Sequence, residues 1–117
     1  MPLSFNDFIE LLLTQMTEKE RQEGIAYVAE ELLQADSKTQ FNKITLEIST
    51  ESYLGFIDRE PQANWGHSAR YVVVNQKSGK ISSLETRLPP FESNSSISWR
   101  VIYKAPGIPD VFSEHPK

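Results

Sequence analysis

A run of four apolar residues followed by a polar turn constrains the fold of this chain more than any other feature. Tyr71-Val72-Val73-Val74 is the most apolar β-branched stretch in the sequence and is typical of a buried strand. The turn from Asn75 to Gly79 combines polar residues with a glycine that can adopt positive φ, and Lys80 to Thr86 then returns. These residues predict a β-hairpin at the centre of the fold.

Two capping boxes precede helical patterns in the N-terminal third of the chain. Each pairs a hydroxyl side chain with a carboxylate three residues later: Ser4 with Asp7, and Thr17 with Glu20. The apolar residues that follow recur at helical spacing, which predicts one helix over residues 5–16 and a second from about Glu18 to Ala35. Gly24 within the second predicted helix indicates close packing against a neighbour, or a hinge.

Alternating apolar residues predict the other strands. The predicted segments are Ile44–Ile48, Tyr53–Ile57 and Ser96–Lys104. Gly55 marks a bulge or a close backbone approach in the second of them. In the third, one face is predicted to carry Ile97, Trp99, Val101 and Tyr103.

Two positions interrupt the regular strand pattern. Leu84 does not alternate with Ile81, which predicts a bulge or a twist near Ser82-Ser83. The proline pair Pro89-Pro90 cannot donate to a sheet ladder, so the chain is expected to leave the sheet there as an exposed, rigid edge.

Two helices followed by about five strands, with no helix between the strands, predict an α+β fold with an antiparallel sheet and the helices on one face. We expect a single domain over residues 1–117. Its helices would occupy about 5–35, its sheet about 43–104 and an irregular tail 105–117.

Composition and charge exclude several classes of protein. The chain has no cysteine, so disulfides, thiolate metal sites and cysteine nucleophiles are absent. Residues 1–51 carry four basic and ten acidic side chains, and the eight basic residues of 52–117 are scattered, which argues against a nucleic-acid interface. No segment has the basic start of a signal peptide or the apolar length of a membrane span, so we expect a cytoplasmic protein that does not enter a membrane.

Catalytic and cofactor motifs are incomplete. His67 and Ser68 are neighbours, and adjacent residues in an extended segment point to opposite faces, so His67 is poorly placed to activate Ser68. Histidine and carboxylate spacing predicts no metal site, and no phosphate-binding glycine loop or other cofactor motif is found. We therefore expect a protein without a cofactor that is not an enzyme.

The central hairpin carries a resemblance. The pattern from Gly66 through Tyr71-Val72-Val73-Val74 to Gly79 and Ile81 resembles the hairpin of small bacterial immunity-type domains, which also place a helix before a short antiparallel sheet. The resemblance covers only this hairpin, which any strand-turn-strand with a Ser-Gly turn would share, so no family is assigned from it.

Three functional hypotheses follow from the sequence. The first is a non-catalytic module of immunity, inhibitor or adaptor type that binds another protein through an acidic helical face and an aromatic and proline surface. The acidic face would contain Glu18, Glu20, Glu23, Glu30 and Glu31. The second surface would contain Trp65, His67, Arg70, Pro90 and Phe91.

The two alternatives assign a different kind of site to the chain. One is a small-ligand-binding domain or enzyme with a pocket around Tyr53, His67 and Arg70. The other is a subunit of a larger assembly, a homo-oligomer included, in which the sheet edge over Ser96–Lys104 pairs with another chain.

Overall fold

The computed structural model describes residues 2–41, 44–63, 66–87, 90 and 97–109. Two short helices precede seven strands in this part of the chain. The helices are α1 (Phe5–Gln15) and α2 (Glu18–Glu23). The strands are β1 (Ile25–Ala29), β2 (Ser37–Phe41), β3 (Ile44–Ile48), β4 (Ser52–Asp58), β5 (Ala69–Asn75), β6 (Ile81–Thr86) and β7 (Trp99–Lys104). None of the helices in the described ranges is long and apolar enough to cross a membrane.

The strands form two antiparallel sheets. The main sheet has five strands in the order β6-β5-β4-β1-β7, and β2 pairs with β3 in a separate hairpin. The predicted α+β class, with N-terminal helices and an antiparallel sheet of about five strands, is confirmed. The membership of the sheet differs from the prediction, because β1 belongs to it and β3 does not.

The main sheet is covered on both faces. On one face Phe8 and Leu12 of α1, with its C-cap residue Met16, pack against alternate residues of β1, β4 and β5. On the other face Leu46 and Ile48 of the β2–β3 hairpin pack against the remaining residues of those strands. We call these the helix face and the hairpin face. Because both are covered, every residue of β1 and β4 is buried.

The prediction of a helix through Ala35 is wrong. Helix α2 ends at Glu23, and Gly24 follows in an extended conformation with φ −109° and ψ 175°. The segment Ile25–Ala29 contains only apolar residues and forms β1. These residues are apolar because both faces of the strand are buried, and a continuous apolar run matches helical spacing as well. Glu30 and Glu31 therefore lie in a bend after a strand and not on a helix.

Two expectations about strand faces also change. Strand β7 shifts register opposite Ala26 and Tyr27, and Tyr103 packs with the helix-face residues while Trp99 packs on the hairpin face. The single face predicted for β7 is thus divided by a bulge. No bulge occurs near Ser82, since β5 and β6 pair without a register shift.

Local predictions at turns and glycines agree with the structure. Both capping boxes are formed. Gly79 adopts φ 74° in the hairpin turn. A Cβ atom at Gly55 would lie 2.7 Å from Leu12 Cδ2, so this glycine permits the close approach of α1 to β4. In the tail, Ala105 is buried and Ile108 packs against the hairpin-face core.

Candidate functional site

A fully buried carboxylate lies where α2 meets the main sheet. Thr17 caps α2, and the capping box turns the Glu20 side chain back so that the Thr17 amide donates to Oε1 at 2.8 Å. The Glu20 side chain has no exposed surface. A charge at such a depth requires charged partners and hydrogen bonds.

Two arginines provide those partners. The Nε atom of Arg59 donates to Oε2 of Glu20 at 2.9 Å, and Arg70 donates to both Glu20 oxygens at 3.0 Å. Arg59 also forms a two-bond pair with Glu85, at 2.7 and 3.0 Å. Glu20, Arg59, Arg70 and Glu85 are named the Glu20 cluster below.

The remaining donors of the two arginines also bind groups of the protein. Arg59 donates to Ser68 Oγ at 3.2 Å, and Arg70 donates to Ser83 Oγ at 3.2 Å and to the Gln15 carbonyl at 2.9 Å. The cluster thus joins both helices to β5, β6 and the end of β4. Its arginines are directed inward, with 19% and 13% of their side-chain surfaces exposed.

The cluster shifts the acid-base behaviour of its carboxylates. Burial by itself raises the pKa of Glu20, but hydrogen bonds from Arg70 and from the Thr17 amide outweigh burial, and the pKa lies below its ordinary value. The pKa of Glu85 is also lowered, chiefly by its hydrogen bonds with Arg59. Both carboxylates are therefore ionised near neutral pH.

A second buried acid contacts the residue that we expected to be functional. Asp58 ends β4 with 3% of its side chain exposed, and its Oδ2 atom lies 2.7 Å from His67 Nδ1. The Glu60 amide donates to the other oxygen at 2.9 Å. Burial raises the pKa of Asp58 despite the hydrogen bond from His67. Burial, together with the charge of Asp58, raises the pKa of Tyr27.

The structure separates the residues of the predicted interface. Arg70 lies on the helix face in the Glu20 cluster. His67 instead contacts Asp58, which follows the hairpin-face residues Leu54 and Phe56 at every second position of β4. Pro90 is buried, so the expectation that it forms an exposed edge is wrong. Trp65 and Phe91 lie outside the described residues, and their part in an interface stays a prediction.

Tyr53, His67 and Arg70, the residues of the predicted pocket, do not converge. Tyr53 donates to the Leu3 carbonyl at 3.1 Å and stacks on Phe8 with ring centroids 5.0 Å apart. Arg70 pairs with Ile57 in the sheet, four positions or about 13 Å along β4 from Tyr53. Each of the three side chains contacts a different part of the molecule.

The side chains of the neighbours His67 and Ser68 bind different partners. His67 hydrogen-bonds Asp58, whereas the Ser68 hydroxyl accepts from Arg59. Asp58 and Arg59 are themselves adjacent and point in opposite directions from the end of β4. In the described part of the chain, no three histidine, aspartate or glutamate side chains lie together so that they could hold a metal ion.

An open groove that the sequence did not predict lies between the β2–β3 hairpin and strands β5 and β6. Its volume is about 380 Å³. Apolar and hydroxyl side chains, one amide, one glutamate and one lysine line it: Leu46, Ile48, Val73, Leu84, Ser49, Thr50, Ser52, Ser82, Ser83, Asn75, Glu47 and Lys80. The groove exists because the hairpin packs on the sheet as a separate layer, a placement that the alternation of β3 alone does not reveal.

The exposed large apolar side chains of the described residues lie on the two edge strands. Leu84 on β6 is 42% exposed, and Val101 on β7 is 37% exposed.

Comparisons with protein-family models, with curated proteins and with solved structures found no match to this chain.

Proposed function

We propose that this protein is a small non-catalytic module of immunity, inhibitor or adaptor type that binds another protein. The observation that carries the proposal is the distribution of its side chains. The charged groups of Glu20, Arg59 and Arg70 form hydrogen bonds with one another in the interior of the protein. The exposed large apolar side chains of the described residues lie on the two edge strands of the main sheet. Exposed apolar surface beside polar groups is typical of protein interaction sites.

The Glu20 cluster supports a structural role for the charged residues. A catalytic or ligand-binding group must reach its substrate, but Glu20 is fully buried and each guanidinium is directed at several groups of the protein. Substitution of a residue in the cluster is therefore expected to lower the stability of the fold and not to remove a contact with a ligand. The partner is therefore expected to contact the sheet edges, not the cluster.

A purification of partners from the source cells tests this proposal. The bait proteins are the wild type, Leu84→Ser on β6, Val101→Ser on β7 and Trp65→Ala in the segment outside the described residues. We expect a stoichiometric partner that re-forms a complex when both proteins are purified, and that one of the three substitutions weakens. If no purified pair re-forms a complex with the wild type, the proposal fails.

One observation favours a second candidate, a small-ligand-binding domain or enzyme at His67. The Asp58 carboxylate hydrogen-bonds the Nδ1 atom of His67, a carboxylate–histidine pair that also occurs in acid–base sites. Small molecules that bind there would shift the His67 ring signals in an NMR screen, with His115 as the internal control. A screen without a His67-specific shift would count against this candidate.

A further inference from the structure

The two edges of the main sheet differ in how well they can accept another strand. Strand β7 is interrupted by the register shift and carries Arg100 and Lys104, which are features that prevent edge pairing. Strand β6 pairs with β5 without interruption over its six residues. Its one charged residue, Glu85, is already bound to Arg59. Among the strands that the structure describes, β6 therefore has the edge that can accept another strand.

The phase of the ladder shows which groups of β6 face outward. Asn75 donates to the Lys80 carbonyl at 2.9 Å, which makes these two residues a hydrogen-bonded pair. Hydrogen-bonded pairs alternate in an antiparallel ladder, so Ser82, Leu84 and Thr86 bond to β5. Ile81, Ser83 and Glu85 direct their amides and carbonyls to the open side.

The groove lies on the hairpin face, next to this edge. Every second side chain of a strand added to β6 would point to that face, where Leu84 and the half-buried Val73 provide an apolar surface. Side chains on the opposite face of the added strand would lie beside Ser83 and Glu85. The site therefore favours an extended segment with an apolar residue at every second position.

The charge of Lys80 at one end of the groove favours one direction for that segment. Glu47 pairs with Lys38 at 3.8 Å, whereas no described residue pairs with the ammonium group of Lys80, which stands just before β6. An antiparallel strand added to β6 has its C-terminal end beside Lys80. A carboxylate at that end would complement the lysine.

We propose that β6 and the groove bind an extended peptide segment of another protein, antiparallel to β6, with alternating apolar residues and an acidic residue or free carboxylate at its C-terminal end. This inference rests on the proposed function, since it names the surface and the chemistry of the partner. Backbone hydrogen bonds to Ser83 and its outward-facing neighbours supply the binding energy, and the groove and Lys80 select the sequence.

A matched set of peptides tests the mode of binding. The parent is acetyl-Val-Thr-Val-Thr-Val-Glu with a free carboxylate, and binding is followed by amide NMR of the full chain. The valines that face the groove direct their amides away from β6, so N-methylation of the valines is tolerated. N-methylation of the threonines removes bonds to β6 and is expected to weaken binding about tenfold or more. Equal effects of the two modifications would overturn the proposal.

A pair of lysine variants tests the direction. Lys80→Gln is expected to weaken binding of the parent peptide about threefold to fivefold, with the effect reduced at high salt. Lys77→Gln, in the same turn but outside the groove lining, is the control and leaves affinity unchanged. A peptide ending in lysine amide should show no difference between wild type and Lys80→Gln. Equal loss in both variants would refute the assigned direction.

The outcomes separate this inference from the proposed function. If the purified partner binds the wild type, Lys80→Gln and Leu84→Ser equally well, the module binds proteins elsewhere and the β6 site is wrong. If the mass of the protein in solution instead doubles as its concentration rises, and the NMR signals of the β6 amides shift at the same time, a second copy occupies the edge. The peptide proposal is then rejected. Saturable peptide binding with shifts at Ile81, Ser83 and Glu85 supports it.

Discussion

Glu20 combines two functions that a single residue seldom has. Its backbone position makes it part of a helix cap, and its carboxylate is the buried centre of a cluster with two arginines. Removal of one member of a buried ion pair leaves the other charges without compensation, which costs far more than the pair contributes. The stability of the helix–sheet contact therefore depends on this side chain.

Substitution of Glu20 tests that dependence. We expect Glu20→Gln to lower the free energy of unfolding by about 3 kcal/mol, because Arg59 and Arg70 lose their shared anion. Glu23→Gln, on the exposed side of the same helix, is the control and should change the free energy by less than about 0.5 kcal/mol. Urea unfolding measures both values, and similar values for the two variants would contradict the cluster's role.

The lowered pKa of Glu20 predicts a loss of stability in acid. A carboxylate whose pKa is lower in the folded state contributes stability above its ordinary value of 4.5, and that contribution disappears as pH falls through the folded value. The stability of the wild type should therefore fall more steeply below about pH 4.5 than that of Glu20→Gln. Parallel curves in a pH series of urea midpoints would refute this.

The raised pKa of Asp58 predicts the opposite dependence of stability on pH. Its raised folded pKa means that its contribution is present below the ordinary value of 3.8 and is lost as pH rises through the folded value. The advantage of the wild type over Asp58→Asn should therefore shrink as pH rises above about 4. His67, Glu60 and Tyr27 are the titratable groups around Asp58. An advantage that grows with pH in the same urea series would contradict the raised pKa.

At the scale of elements, two glycines determine how closely the helices approach the sheet. At Gly24 a Cβ atom would lie 2.7 Å from the Asp58 carbonyl oxygen and 2.8 Å from that of Glu20. At Gly55 the nearest atom is the tip of the Leu12 side chain. Backbone carbonyls in a paired strand and a helix move less readily than a leucine methyl group, so the two positions should differ in tolerance.

Alanine substitutions measure this difference. We expect Gly55→Ala to cost about 1–3 kcal/mol and Gly24→Ala to cost about 3 kcal/mol or more. The cost of Gly55→Ala should be smaller in a Leu12→Ala background, because the truncated side chain leaves room for the new methyl group. Thermal and urea unfolding of the two single variants and the double variant provide the test. If the losses of free energy of the two single variants add strictly in the double variant, the Leu12 side chain is not the group that the new methyl group meets.

At the scale of the whole molecule, the five-stranded sheet is the middle of three layers. The separate β2–β3 hairpin supplies the third layer through Leu46 and Ile48. This layer explains why β1 and β4 can be apolar on both faces, and it forms one wall of the groove. The hairpin is thus a part of the core and of the proposed binding site.

Truncation of the hairpin side chains tests its contribution to the core. Ile48→Ala is expected to lower the free energy of unfolding by about 2–4 kcal/mol, because the residue is 3% exposed and its methyl groups leave a cavity. Glu47→Ala, next to it on the solvent side, should have an effect below about 0.5 kcal/mol. A small effect of Ile48→Ala in urea unfolding would mean that the hairpin packs loosely.

The candidate site was only partly predictable from the sequence. The sequence predicts His67 as a candidate site residue, but nothing in it indicates that Asp58 is the partner of this histidine. The sequence predicts Arg70 as a binding residue because a sequence does not show that an arginine contacts a buried glutamate fifty residues away. The groove depends on the packing of two sheets, for which the sequence holds no local signal.

The sequence by itself determined the features that depend on residues close along the chain. The capping boxes at Ser4 and Thr17, the positive φ of Gly79 and the α+β class follow from local hydrogen bonds, steric freedom and apolar patterns. Only the tertiary structure decided that Ile25–Ala29 is a strand and that Glu20 is buried. An apolar run fits a helix or a doubly covered strand equally well, and the choice depends on which distant surfaces cover it.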